Sequence, residues 1–242
     1  MSSPSRPRLL IVQPMADDGP AYLAHWLQQA GLSFDLASVA AGDEVPASAE
    51  PYDAIAMLGG AMSVNDELPF LARAEALLRD AVARGRPVLG HCLGGQMLAK
   101  ALGAPTTDNL VPEFGWTHIT PTETPLALDW FGRSTPLPVY QWHFQTFAPP
   151  AGATLLAGNT ACPHQAFGFG PHLGMQFHIE VDAEKLNRWC SEAPKDGDPL
   201  RQHATVQGEA AMRADTTRFL ADSQATAAHL YARWLALAGL SS

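Results

Sequence analysis

Arg86-Pro87-Val88-Leu89-Gly90-His91-Cys92-Leu93-Gly94-Gly95-Gln96-Met97-Leu98-Ala99 decides how the chain is read. It predicts a short buried strand, a sharp turn with a cysteine at its apex, and a helix. This is the Gly-x-nucleophile-x-Gly elbow, with sulfur at the nucleophile position. Gly90 and Gly94 leave room for the strained turn, and the following helix aims its positive N-terminal end at Cys92. A thiol so placed is expected to be a usable nucleophile at neutral pH.

Upstream, the pattern is strand and helix in alternation. Arg8–Gln13 is a short apolar run closed by Pro14, and Pro20–Gln29 carries Tyr22, Leu23, Trp26 and Leu27 at helical spacing. Phe34–Val39 and Tyr52–Leu58 predict two more strands, the second running into Gly59-Gly60. Asp66–Arg84 is amphipathic, with Leu68, Leu71, Leu78 and Val82 on one side, and Gly85 ends it. The alternation implies an α/β fold, a doubly wound, mostly parallel sheet with helices on both faces.

Downstream of Gly103 the texture changes. From Ser134 to Ile179 there is no Asp, Glu, Lys or Arg, only four histidines among apolar, Gly, Pro and amide residues. Short β-like pieces (138–140, 154–157, 165–169, 173–178) alternate with turns, as in strands covered by the rest of a domain. Asp182 caps a helix through Trp189, and Pro194–Gln202 reads as a polar linker. Two helices, 206–220 and 223–237, are expected to finish the chain. The whole of 1–242 reads as a single domain, its core about 8–190 with a helical extension over about 194–242.

Composition narrows the function. The chain has 242 residues, 47% hydrophobic, and a formal net charge of −9, which argues against nucleic acid or an anionic membrane surface as partner. Three widely spaced cysteines without a Cys-x-x-Cys pair suggest a reducing interior, and no apolar run approaches the ~20 residues of a membrane span. A cytoplasmic protein is expected. His118, His164 and His172 lack metal-site spacing, and no phosphate loop or dinucleotide fingerprint occurs, so no metal and no cofactor are expected.

A cysteine nucleophile in acyl transfer needs a base, a group to orient the base, and oxyanion donors. His178 stands at the end of a predicted strand, and Glu180, two residues on, points to the same side of an extended chain. A carboxylate there holds the imidazole in one tautomer. The N–H of Leu93 follows the nucleophile directly, and Gly59-Gly60 offers a second donor at another strand end. Each piece alone has an ordinary structural explanation: a core thiol, a chance His-x-Glu, a turn. Their conjunction does not.

Gly90-His91-Cys92-Leu93-Gly94-Gly95-Gln96 and Phe177-His178-Ile179-Glu180 resemble the two signature motifs of class I glutamine amidotransferases. Residues 58–66 resemble the oxyanion-strand motif of the subgroup similar to the glutaminase domain of GMP synthetase. Glu113-Phe114-Gly115-Trp116 and Gln141-Trp142-His143-Phe144-Gln145-Thr146-Phe147 are weaker matches, so the resemblance runs from about residue 8 to 190. It implies a flavodoxin-like sheet and a Cys92–His178–Glu180 triad that hydrolyses the γ-carboxamide of glutamine, or a related γ-glutamyl amide, through a thioester. It also implies an oxyanion hole of Gly60 and Leu93 N–H groups. Gly59, Gln96 and the backbone around His143, Phe144 and Gln145 would hold the amino-acid end of this small-molecule substrate. Three positions depart from the family pattern: Ile179 replaces a usual proline, Ala61 replaces another, and Gln145 stands where relatives often carry Asp. No attached synthase domain fits in this length, so ammonia would pass to a separate synthase subunit or be released. The alternative is a non-enzymatic or partner-dependent, metabolite-binding relative.

Overall fold

The computed structural model describes residues 8–240. Its nine-stranded sheet has the order β2-β1-β3-β4-β9-β8-β7-β5-β6. The first five strands in that order, β2 (Phe34–Ser38), β1 (Leu9–Gln13), β3 (Ala54–Met57), β4 (Val88–His91) and β9 (His172–Met175), pair in parallel. The rest, β8 (Ala166–Phe169), β7 (Thr154–Gly158), β5 (Thr106–Pro121) and β6 (Leu137–Phe147), pair antiparallel. The doubly wound half is thus extended by an antiparallel half. β9 is the seam between them.

Both faces of the parallel half are covered, and β1 shows why its strands read as unbroken apolar runs. Leu9 and Ile11 pack on the side of α1 (Ala21–Gln29), α4 (Pro125–Phe131) and α6 (Glu209–Leu237). Leu10 and Val12 pack on the other side, under α2 (Pro69–Ala83) and α3 (Leu93–Ala101). A third cluster joins β5, β6 and α5 (Ala183–Ser191) through Phe114, Trp116, Tyr140, Leu186 and Trp189.

Two expectations are corrected. The C-terminal helices 206–220 and 223–237 are one 29-residue helix, α6. Ala221, Asp222 and Ser223 contain no breaker, and Ser223 is buried rather than looped out. The stretch after Gly103, for which no strand was expected, is the long strand β5. Its pattern is masked by a register shift against β6 between Asp108 and Glu113. The short helix α4 is a further addition, and Thr124 caps it by accepting the Ala127 N–H. No helix among the described residues is long and apolar enough to cross a membrane.

Candidate active site

The elbow forms as its residues dictate. Cys92 has φ 49° and ψ −109°, a left-handed backbone that L-residues avoid, and it stands at the N-cap of α3. A Cβ on Gly90 would lie 2.4 Å from the Gly94 carbonyl oxygen, so the turn closes only with glycine there. The Cys92 N–H donates to Met175 O at 2.9 Å, fastening the apex to β9.

His178 arrives from beyond the end of β9. The strand stops at Met175, three residues short of the histidine, and the backbone is then held by mutual bonds with Tyr140 of β6 (His178 N–H to Tyr140 O, 2.8 Å). His178 Nδ1 lies 2.7 Å from Glu180 Oε1, and the ring lines the same cavity as Cys92, whose Sγ accepts from Gln176 Nε2 at 3.8 Å. All three sequence-predicted triad members therefore meet, nearly or wholly buried. Cys92 and His178 line a cavity of about 390 Å³, a volume suited to a small metabolite, and Glu180 is buried behind His178.

The cavity wall collects most of the other expected residues. Gly60, Gln96, His143, Phe144 and Gln145 line it together with Trp142 and Trp189. Leu93 is buried in the first turn of α3, where backbone N–H groups have no partner within the helix. Gln96 donates from Nε2 to Gln145 O (3.1 Å) and Gln176 Oε1 (3.2 Å), so much of its amide braces the wall. Gly59 lies behind the wall. A Cβ there would fall 2.3 Å from Asp18 Oδ2 and 2.7 Å from His178 Cε1. β5 brings a carboxylate beside Gln145: Gln145 Nε2 donates to Asp108 Oδ1 at 3.2 Å, and Asp108 lines the cavity.

Several contributors were not legible as site residues. Buried Glu113 accepts from Gln165 (2.8 Å) and Asn159 (2.8 Å) and lies 3.1 Å from His143 Nε2. That network fixes His143 beneath the exposed Phe144, and it explains why a glutamate in Glu113-Phe114-Gly115-Trp116 goes with the 141–147 segment. Lys185 and Asp18 were unforeseen as well. Lys185 Nζ is completely buried and bonds Asp18, Glu180 Oε1 (2.8 Å) and Gly19 O (3.0 Å). The signal was the Asp182 cap, which turns Lys185 and Trp189, four residues apart, to the same inner face.

Electrostatics follow from this burial. Desolvation alone would lower the His178 imidazole, but Glu180, Cys92 and Asp18 together raise it to about 10. Burial likewise opposes the charge on Glu180, yet Lys185 and His178 hold its carboxyl well below the usual range. His91 lies beneath the elbow with Nε2 3.9 Å from Glu180 Oε2, and burial pushes it down, leaving a neutral ring. At neutral pH the site holds an imidazolium against a carboxylate, beside Cys92.

Residues 21–188 match the family model for class I glutamine amidotransferase domains. The chain belongs to this family. It is 30% identical over 213 residues to the glutamine amidotransferase-like protein YfeJ of Salmonella typhimurium, covering 84% of this chain and 88% of that one. It is 31% identical to a subunit of the glutamine-hydrolysing GMP synthase of Saccharolobus solfataricus, over 54% of this chain and 68% of that one. Among solved structures, a glutamine amidotransferase from Methylobacillus flagellatus superposes with a TM-score of 0.92 at 36% identity, covering 96% of each chain. One from Thermotoga maritima gives 0.83 at 27% identity over 95% of this chain and 98% of that one. The likeness to these amidotransferases includes the antiparallel half of the sheet and α6.

Proposed function

We propose that this chain is a cysteine amidohydrolase of the glutaminase type, acting on the γ-carboxamide of glutamine or a related γ-glutamyl amide. The observation that carries the reading is the His178 ring, held by Glu180 at 2.7 Å and lining the same cavity as the elbow cysteine Cys92. With the proton of the Cys92–His178 pair held on the imidazole, the Cys92 sulfur attacks the amide carbon. The carbonyl oxygen, now an oxyanion, turns toward the N–H groups of Gly60 and Leu93. The tetrahedral intermediate collapses as His178 protonates the departing nitrogen, leaving a γ-glutamyl thioester and free ammonia or amine. Water then gives a proton to His178 and attacks the thioester, which releases the acid and restores the thiol.

Gln96 and the segment His143–Gln145 hold the amino-acid end of the substrate, while Gly59, expected among them, lies behind the wall. In this reading 1–242 acts as one amidotransferase-like domain in the cytoplasm, a setting consistent with three free thiols. Ammonia is released or passed to a separate synthase chain; the similarity to relatives named as one subunit of a GMP synthase supports including the second route. The test is turnover of glutamine and a panel of γ-glutamyl amides by wild type and Cys92→Ala. Loss of at least about 10⁴-fold in kcat is expected. Hydrolysis that persists in the variant would overturn the triad, and no turnover by the isolated wild type would favour the partner-dependent or metabolite-binding alternative.

A further inference from the structure

The most deeply buried cation of the described chain has no part in that mechanism. Lys185 has three ammonium protons and three oxygen acceptors: Asp18, Glu180 Oε1 at 2.8 Å and Gly19 O at 3.0 Å. A buried lysine without functional demand is costly, because an apolar residue of similar size would fill the space with no charge to desolvate. The acceptors are also chosen. Glu180 Oε1 is the same oxygen that faces His178 Nδ1, while Oε2 accepts the Ile179 N–H at 3.0 Å. The lysine ammonium further sits 4.6 Å over the Trp189 ring, and that ring stands edge-on to His178 at 4.8 Å.

We propose that Lys185 and Asp18 form a positioning pair that locks the Glu180 carboxylate and tempers its charge, and so sets the pH at which Cys92 and His178 become reactive. The proposal rests on the reading of Cys92 as nucleophile. Lys185 acts in two ways. It ties Glu180, which follows β9, to Asp18 and Gly19, which follow β1, so the triad acid cannot rotate. It also balances charge: Glu180 and Asp18 are met by Lys185 and protonated His178.

The other groups facing this cluster do not supply such a balance. From β4, His91 is kept neutral by burial, and from α6, burial holds the Tyr231 hydroxyl well above its ordinary value. Tyr22 of α1 and Tyr140 of β6 are likewise raised by burial and stay uncharged at neutral pH. Asp17 before α1 and Glu192 after α5 line the cavity and add only negative charge. Lys185 is thus the one cation besides His178 in the set.

Removing the cation makes the local potential more negative, which favours retaining protons on the Cys92–His178 pair. Removing the Asp18 charge does the reverse. The two variants therefore carry opposite signs, which a purely structural role would not produce.

The experiment is the pH dependence of iodoacetamide alkylation at Cys92, followed by peptide mass spectrometry with circular dichroism as a check on folding. For Lys185→Met the acid midpoint is expected to rise by about one pH unit, a tenfold fall in rate on that limb. For Asp18→Asn it is expected to fall, and for the double variant to return toward wild type. Midpoints that stay in place while amplitudes change would overturn the pair's role. Should Lys185→Met fail to fold, the direction of the Asp18→Asn shift decides alone. A wild-type Cys92 no more reactive than Cys162 or Cys190 would overturn the nucleophile itself, an outcome distinct from a reactive Cys92 with immobile midpoints.

Discussion

His178 owes its proton to its neighbours, because burial works against the charge and Glu180, Cys92 and Asp18 together outweigh burial. The sign follows directly. An imidazole raised to about 10 stabilises the fold fully below its ordinary value of about 6.5, and that contribution is lost as pH rises through 10. Glu180 is depressed, so its contribution is present above about 4.5 and disappears as pH falls. In Glu180→Gln burial would remain as the largest influence on His178, opposed only by Cys92 and Asp18. The alkaline limb of kcat/KM, set by loss of the His178 proton, is expected to move down from near 10 toward the ordinary imidazole value of about 6.5. A pH profile between 5 and 11 checks this, and an unmoved limb would separate His178 from Glu180. Gly59 makes a second case. The added methyl of Gly59→Ala meets His178 Cε1 at 2.7 Å, and His178 is pinned by Glu180 on its far side. Displacing the base by a few tenths of an ångström or more is expected to lower kcat by about 10²-fold, with a stability cost of about 1–3 kcal/mol. Steady-state kinetics beside thermal unfolding would read both, and unchanged kcat would show that the turn can give way.

At the scale of elements, legibility tracked how local the determining contacts are. The elbow was readable because Gly90, Cys92 and Gly94 act within one turn, and α2 because its apolar stripe repeats along its whole length. β5 was not, since Asp108, Asn109, Pro112 and Gly115 break its alternation and its order comes from pairing with β6, beyond an intervening helix. Lys185 was hidden for the same reason: one lysine in a polar helix looks solvated until β1's loop supplies Asp18. The residues that meet around Cys92 and part of the cavity wall could be named from sequence, but the groups that hold them from behind could not. The continuous α6 carries a prediction of its own. Ser223 is fully buried in its middle, and its Oγ has no hydrogen-bond partner. An unsatisfied buried hydroxyl is a cost, and alanine is the better helix former. Ser223→Ala is expected to raise stability by about 1 kcal/mol, or roughly 2–4 °C in Tm. Denaturant unfolding measures it, and a loss would reveal a partner for the hydroxyl.

Over the whole molecule, a formal charge of −9 is spread so that the cavity shares it. Asp17, Asp108 and Glu192 stand on the wall with Trp142, Phe144 and Trp189, whereas no Lys or Arg among the described residues lines it. Lys185 is spent behind the wall, its three protons already bonded to Asp18, Gly19 and Glu180. A substrate tail entering this mouth meets carboxylates and aromatic faces, which favour a cation by simple attraction and by cation–π contact. Each exposed carboxylate contributes only about 0.2–1 kcal/mol, so the preference is moderate. Amides with a cationic amine tail are expected to show kcat/KM several-fold to about tenfold above matched amides with an anionic tail. The ratio should shrink as salt rises above the ~0.1 M range, where screening acts within about 10 Å. Asp17 and Glu192 are exposed, so Asp17→Asn with Glu192→Gln tests the charge without touching the buried machinery. The double variant should narrow the ratio through KM, with kcat on the neutral amide retained. Equal kcat/KM for both tails in the wild type would mean that the mouth does not read charge, and that selection falls to the contacts around Gln96 and Gln145.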